Sequence, residues 1–333
     1  MMEGATIKEG ELQILLNLIG DRLDFSYPLL GVHVLDAKLS GESYFLSADI
    51  SSIGIPKDLG PLSPELPCAT DLTECLMSSG VLAFANIDEI RRQINLYRGL
   101  KRKACFCPDT NILYRRFFST TGLIEPKETC VIDIVKSEIQ SQLNYKYSPD
   151  QINDLKKHLP YNRDLLDEFV NRKMKKARKA AYFANKELAF LREGAMEIAS
   201  PERGSTDKEG NDWIIAKALR RLETERSVMP VLLTADSSMV EICKGENLEY
   251  IHFKMAFGAG EMVATPRQMV DLISGLAAVL GVVKLNSIYI FSEFKGKHDI
   301  DELKVYFLDN ANSETFKRDL RICRKLTDLL GTR

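Results

Sequence analysis

Four short apolar runs punctuate the middle of the chain, at 104–107, 130–135, 231–234 and 250–253, with helix-patterned sequence between them. A short, continuously apolar run is what a strand buried on both faces requires, and such strands joined through helices make a parallel sheet. The expected fold class is therefore α/β over about residues 104–255, a central parallel sheet with helices on both faces. At 333 residues the chain is longer than one ordinary domain, so the flanks must form additional structure.

Those flanks have a different rhythm. Residues 8–20 place Leu12, Leu15, Leu16 and Ile19 on one stripe, the pattern of an amphipathic helix closed by Gly20. The runs 29–35 and 43–50, separated by Ser40-Gly41-Glu42, read as a β-hairpin. Pro56, Gly60, Pro61, Pro64 and Pro67 mark a linker over 53–67, and 87–98 reads as a helix. Near the other end Pro266 opens a helix that stops at Gly281, strands follow at 287–294 and 303–308, and a helix closes the chain from 313 to 330. The expected organisation is an N-terminal α+β region (1–100), the central domain (104–255) with a helical basic insertion at about 150–200, and a C-terminal α+β region (265–333). Helix and two strands recur at both ends, so the two flanks are expected to build one α+β module or two similar ones.

With 45% hydrophobic and 28% charged residues, the chain has material for a real core and is neither disordered nor a fibrous rod. The seven Cys are odd in number and scattered, unlike a secreted disulfide framework, and no Cys/His spacing completes a zinc set. Cys105 and Cys107 alternate as strand positions. No basic-then-apolar leader opens the sequence, and the longest apolar stretch, 269–283, is too short to span a bilayer. A cytoplasmic protein without membrane association is expected.

Four carboxylates in the central segment fall at strand ends or helix starts: Asp109, Glu138, Asp212 and Asp236. In an open parallel sheet, ligands bind beyond the carboxyl ends of the strands. Like charges gathered there repel and push each other's pKa values up unless a cation neutralises them. A hard divalent ion with oxygen ligands does so, and with phosphate as its further ligand it suits phosphodiester chemistry. Singly, each acid is better explained as a helix cap or solvated end; that explanation weakens when all four fall at such positions in one α/β segment.

The residues around these acids resemble the motifs of the PIN-domain nucleases, in order. Phe106-Cys107-Pro108-Asp109-Thr110-Asn111-Ile112-Leu113 is similar to the opening motif, an apolar strand ending in Asp-Thr-Asn. Residues 131–139 resemble the second, a strand running into a helix with its acid at Glu138. Asp212-Trp213-Ile214-Ile215-Ala216 resembles the third, and Leu232-Leu233-Thr234-Ala235-Asp236 the fourth. The resemblance implies an α/β/α domain and Mg2+- or Mn2+-dependent hydrolysis of phosphodiester bonds in RNA by a metal-activated water. It makes Asp109, Glu138, Asp212 and Asp236 the catalytic metal ligands and Thr110, Asn111 and Thr234 the hydrogen bonders that orient them. Asp207 is a rival or auxiliary to the third acid. The stretch between Glu138 and Asp212 is longer and more charged than in small toxin-type members. Alternatives are a nucleic-acid-binding scaffold with weak catalysis and a DNA-directed, structure-specific nuclease.

Within that stretch, Arg172, Lys173, Lys175, Lys176, Arg178 and Lys179 put six positive charges into eight residues on an expected helix. A solvated basic face and a phosphate-binding face both fit this pattern; its place between two expected metal ligands favours RNA contact. Tyr182, Phe183 and Phe190 are expected to pack in the core, as is the lone Trp213. The terminal regions are free to bind RNA, a protein partner or a second copy of the chain.

Overall fold

The computed structural model describes residues 4–48, 60–201, 208–256 and 260–331. The first strands are β1 (Ala5–Lys8), β2 (Arg22–Tyr27), β3 (Val32–Ser40) and β4 (Ser43–Ser47). In the middle lie β5 (Ala104–Pro108), β6 (Cys130–Ile132), β7 (Met196–Ile198), β8 (Met229–Thr234) and β9 (Glu249–His252). The last four are β10 (Met262–Ala264), β11 (Val282–Leu285), β12 (Ile288–Phe291) and β13 (Glu302–Phe307). Two compact units share them, one from the described residues of Met1–Cys75, Tyr145–Arg178 and Gly258–Arg333, the other from Leu76–Asn144 and Lys179–Phe257.

In the flanking unit the two ends of the chain meet in one antiparallel sheet of eight strands, ordered β1-β13-β12-β11-β2-β3-β4-β10. The hairpin of β3 and β4 turns at Gly41, whose φ of +63° is one that glycine adopts without strain. β2 alternates exposed and buried residues, with Leu23, Phe25 and Tyr27 inward, as a sheet with one buried face demands. Helix Pro266–Leu280 packs on β4, β10, β11 and β12, and every residue from Met269 to Leu280 except Asp271 is buried. Pro266 stands at its first turn, and Thr265 and Gln268 close a capping box.

The basic run does not form one solvated face. Lys175 is buried, donating to Leu66 O at 2.6 Å and to Asp71 Oδ2 at 2.8 Å. Arg178, 2% exposed, donates to the carbonyls of Lys173, Ala278 and Val279, with the Tyr147 and Phe169 rings beside its guanidinium. Ala278 and Val279 lie in the last turn of helix Pro266–Leu280, where carbonyls lack intrahelical donors, so Arg178 caps that helix end. The assignment of Lys175 and Arg178 to nucleic-acid binding is therefore corrected: both cations are spent on internal acceptors. Lys176 is exposed above the Tyr145 ring, and Arg172 and Lys173 are half-buried. Lys179 falls in the other unit.

In the central unit β8 pairs in parallel with both β5 and β9, and β6 pairs in parallel with β7. The isolated parallel bridge Phe106–Thr129 brings β6 beside β5, giving the order β7-β6-β5-β8-β9. All five residues of β5 are buried, as are Val231, Leu232 and Leu233 on β8. Helices contribute Ile90, Ile94, Val135, Ile139, Leu188, Ile215 and Leu219 to the same core. Phe84, Phe117 and Phe253 meet edge to face within it. Ile90 and Ile94 carry helix Ile87–Arg98 into this unit, so the N-terminal region ends near residue 75 instead of 100. Residues 145–178 leave the central domain for the flanking unit. Among the described residues, no helix is long and apolar enough to cross a membrane.

Arg178→Ala should strip the helix end of its donors and lower unfolding free energy by about 3 kcal/mol, since charged donors to buried carbonyls are among the costlier hydrogen bonds to lose. Urea titration followed by circular dichroism measures this. A loss below about 1 kcal/mol would show that water replaces the guanidinium.

Candidate functional site

β5 is apolar to its last residue and then delivers Asp109 to the carboxyl end of the sheet. Asp109 N donates to Leu233 O at 2.9 Å, which continues the ladder one residue past the strand. Its backbone is extended and it stands at the N-cap position of helix Thr110–Tyr114. The carboxylate is 7% exposed and takes two side-chain donors on Oδ2, Thr234 Oγ1 at 2.8 Å and Asn111 Nδ2 at 3.2 Å. Burial, the largest influence, pushes its pKa up. The Thr234 and Asn111 hydrogen bonds pull it down, the Glu138 charge pushes it up, and the Thr110 backbone N–H pulls it down.

Thr234 ends β8 and is fully buried. Its hydroxyl donates to Asp109 and accepts from Asp236 N at 3.0 Å, so one oxygen ties the ends of two adjacent strands. Asp236 N-caps helix Ser237–Gly245, with Oδ1 accepting from Ser238 N at 2.9 Å. Glu138 lies in helix Asp133–Gln142. That helix begins five residues before it, so Glu138 occupies the second turn and β6 is shorter than the apolar run suggests. Thr110 Oγ1 donates to Glu138 Oε2 at 2.5 Å, and Asn211 Nδ2 donates to Oε1 at 2.9 Å. Asp212 is buried in helix Lys208–Arg226, one turn in from its start and directly after Asn211.

Hydrogen bonds reach the carboxylates of Asp109 and Glu138, the backbone of Asp236 and, through Asn211, the helix turn that carries Asp212. Thr234 links Asp109 to the Asp236 backbone, Thr110 links the Asp109 turn to Glu138, and Asn211 links Glu138 to the Asp212 turn. Of the residues expected to orient the acids, Thr110 donates to Glu138, and Asn111 and Thr234 donate to Asp109. Asn211 was not foreseen; the signal lay in its placement beside Asp212 on a helix facing the sheet ends. Asp207 lies outside the described residues. Tyr182 and Phe183 are buried and Phe190 packs against the core, whereas Trp213 is 46% exposed. Its neighbours Asp212 and Ile214 are buried and turn inward, which leaves the indole facing out.

The donor set is oxygen only, from carboxylates steadied by hydroxyls and amides, and it suits a hard divalent ion such as Mg2+ or Mn2+. Asp109, with its charge destabilised by burial, is the group that gains most from a cation. Among the described residues, the groups that place three potential ligand atoms within 4.8 Å of one another are Cys105–Cys107–Cys130 and Asp24–His33–Asp36; no three of the four acids stand that close. The second is exposed on β2 and β3, with His33 Nε2 3.2 Å from Asp36 and 3.6 Å from Asp24. Compared with known proteins, the chain matches no family model and no curated protein.

Because the folded Asp109 has a raised pKa, it favours folding below the unfolded aspartate value of about 3.9 and disfavours it as pH rises through the folded value. In EDTA, Asp109→Asn should therefore raise Tm at pH 8, with the gain vanishing below about pH 4. Calorimetry across that range tests it; a destabilised variant at pH 8 would mean that the buried charge is already compensated.

Proposed function

We propose that the chain is a cytoplasmic, Mg2+- or Mn2+-dependent ribonuclease of the PIN type, hydrolysing phosphodiester bonds in RNA. The observation that supports this reading is the buried Asp109 carboxylate at the end of a parallel sheet, held by Thr234 and Asn111, with Glu138 tied to the same turn through Thr110. A protein that only bound RNA would gain nothing from a buried carboxylate beside phosphate, where it repels the ligand.

In this reading Asp109, Glu138, Asp212 and Asp236 hold the ion. When bound, the ion supplies a Lewis acid that activates water and steadies the departing oxygen. Thr234 and Asn111 fix the Asp109 carboxylate, and Thr110 and Asn211 fix Glu138, so that these two carboxylates would need little rearrangement to receive an ion. The two hydroxyls of the network, Thr110 and Thr234, both donate to carboxylates, which fits direct attack by water without a covalent enzyme intermediate. The exposed Trp213 ring offers a base a stacking surface beside Asp212. Lys176 of the basic run is exposed and is a candidate for phosphate contact.

Single-stranded RNA should be cut in Mg2+ or Mn2+ and spared in EDTA, and Asp109→Asn should abolish cutting with an unchanged circular dichroism spectrum. Cleavage retained by that variant, in preparations free of contaminating nuclease, removes the assignment. Preferential cutting of DNA keeps the site and changes the substrate. Trp213→Ala should weaken RNA binding by about 1–3 kcal/mol, the typical worth of one base on an aromatic ring; fluorescence anisotropy with a labelled oligonucleotide measures it.

A further inference from the structure

Cys105 and Cys107 occupy alternate positions of β5 and so face the same side of the sheet, and Cys130 opens β6 beside them. All three are buried, and their sulphurs lie within 4.8 Å of one another. No carboxylate or imidazole belongs to the group. Core positions of parallel strands usually carry branched aliphatic side chains, and neighbours here do: Val131, Ile132, Val231 and Leu232. Cys243, as deeply buried, stands outside the group.

The cluster sits where the sheet is held most thinly. β8 pairs with β5 over five positions, but β5 meets β6 only through the isolated bridge Phe106–Thr129. Cys105 and Cys107 flank Phe106, and Cys130 follows Thr129, so the sulphurs surround that bridge. Met196, the register partner of Cys130 on β7, shows its thioether on the same face. Arg226 donates to Met196 Sδ at 3.2 Å. Hydrogen bonds from Cys107 and Cys130, and after them the charges of Lys103 and Arg226, pull the Cys105 pKa down, while burial pushes Cys107 up and the bond to Cys105 pushes Cys130 up.

We propose that Cys105, Cys107 and Cys130 form a trigonal site for a soft monovalent ion, Cu(I), that staples β5 to β6. Three thiolates and a neighbouring thioether are soft ligands, which select Cu(I). A structural zinc site takes four protein ligands of nitrogen, sulphur or carboxylate oxygen, and this group supplies three. Binding forms three Cu–S bonds; protons still on the thiols pass to solvent, and copper stays in the +1 state. The site is separate from the acid network, and its test does not use RNA.

Full-length protein, reduced and anaerobic, is titrated with Cu(I) against bathocuproine disulfonate. Wild type should withdraw one Cu(I) per chain and gain thermal stability, because a ligand that binds only the folded state raises Tm. Cys107→Ser and Cys130→Ser should each lose at least about tenfold in affinity, the least that disturbing a metal's surroundings usually costs. Cys68→Ser and Cys323→Ser should change nothing. Copper K-edge absorption on the wild type should count three sulphur neighbours, and this decides the question even where a serine variant fails to fold. Failure of wild type to compete, equal affinity in the cluster variants, or a sulphur count of two or fewer overturns the proposal.

Discussion

A carboxylate held almost out of water is the constraint on which the central unit turns. β5 is buried along its whole length, and the backbone bond from Asp109 to Leu233 carries the ladder past its end, so the aspartate cannot swing away to solvent. Leaving such a group ionised is costly unless it is hydrogen-bonded or paired. Thr234 and Asn111 supply part of the compensation. The remainder is the electrostatic deficit that a divalent ion would fill, and Glu138 is tied to the same turn through Thr110.

The flanking unit rests on contacts of a different kind. Its sheet alternates strands from the two ends of the chain, β11 of the C-terminal part lying against β2 of the N-terminal part. The segment 145–178, inserted between central helices in sequence, folds into this unit because Lys175 and Arg178 find their acceptors there. Gly281, at φ +81°, lies where a Cβ would come 3.0 Å from the Phe169 ring and 3.3 Å from the Arg178 guanidinium. A glycine, a ring and a buried arginine are thus fitted to one another at the end of a buried helix.

Local pattern revealed whatever depended on local chemistry. Helix Ile87–Arg98 follows from its own periodicity, and β5, β8 and β9 were visible as apolar runs bounded by polar residues. The acids Asp109 and Asp236 were legible because a strand end exposes whatever follows an apolar run. Less visible were β1, β7 and β10, four residues or fewer, whose identity comes from partners distant in sequence. The polar stretch 150–196 read as one helical region but is broken by a 3-10 segment and by the buried π-turn Ala180–Ala184. The burial of Lys175 and Arg178 was hidden for a related reason: their acceptors are Asp71 and backbone carbonyls about a hundred residues away, and carbonyls leave no trace in the side-chain pattern. Trp213 departs from the usual behaviour of its residue type by facing outward beside a buried acid.

The most direct measurement is a crystal of the protein grown or soaked in Mn2+, with anomalous scattering recorded at the manganese edge. The account predicts a peak within coordination distance of Asp109 and at least one of Glu138, Asp212 and Asp236. A saturated crystal with no peak at Asp109, or with its manganese held elsewhere on the chain, contradicts it.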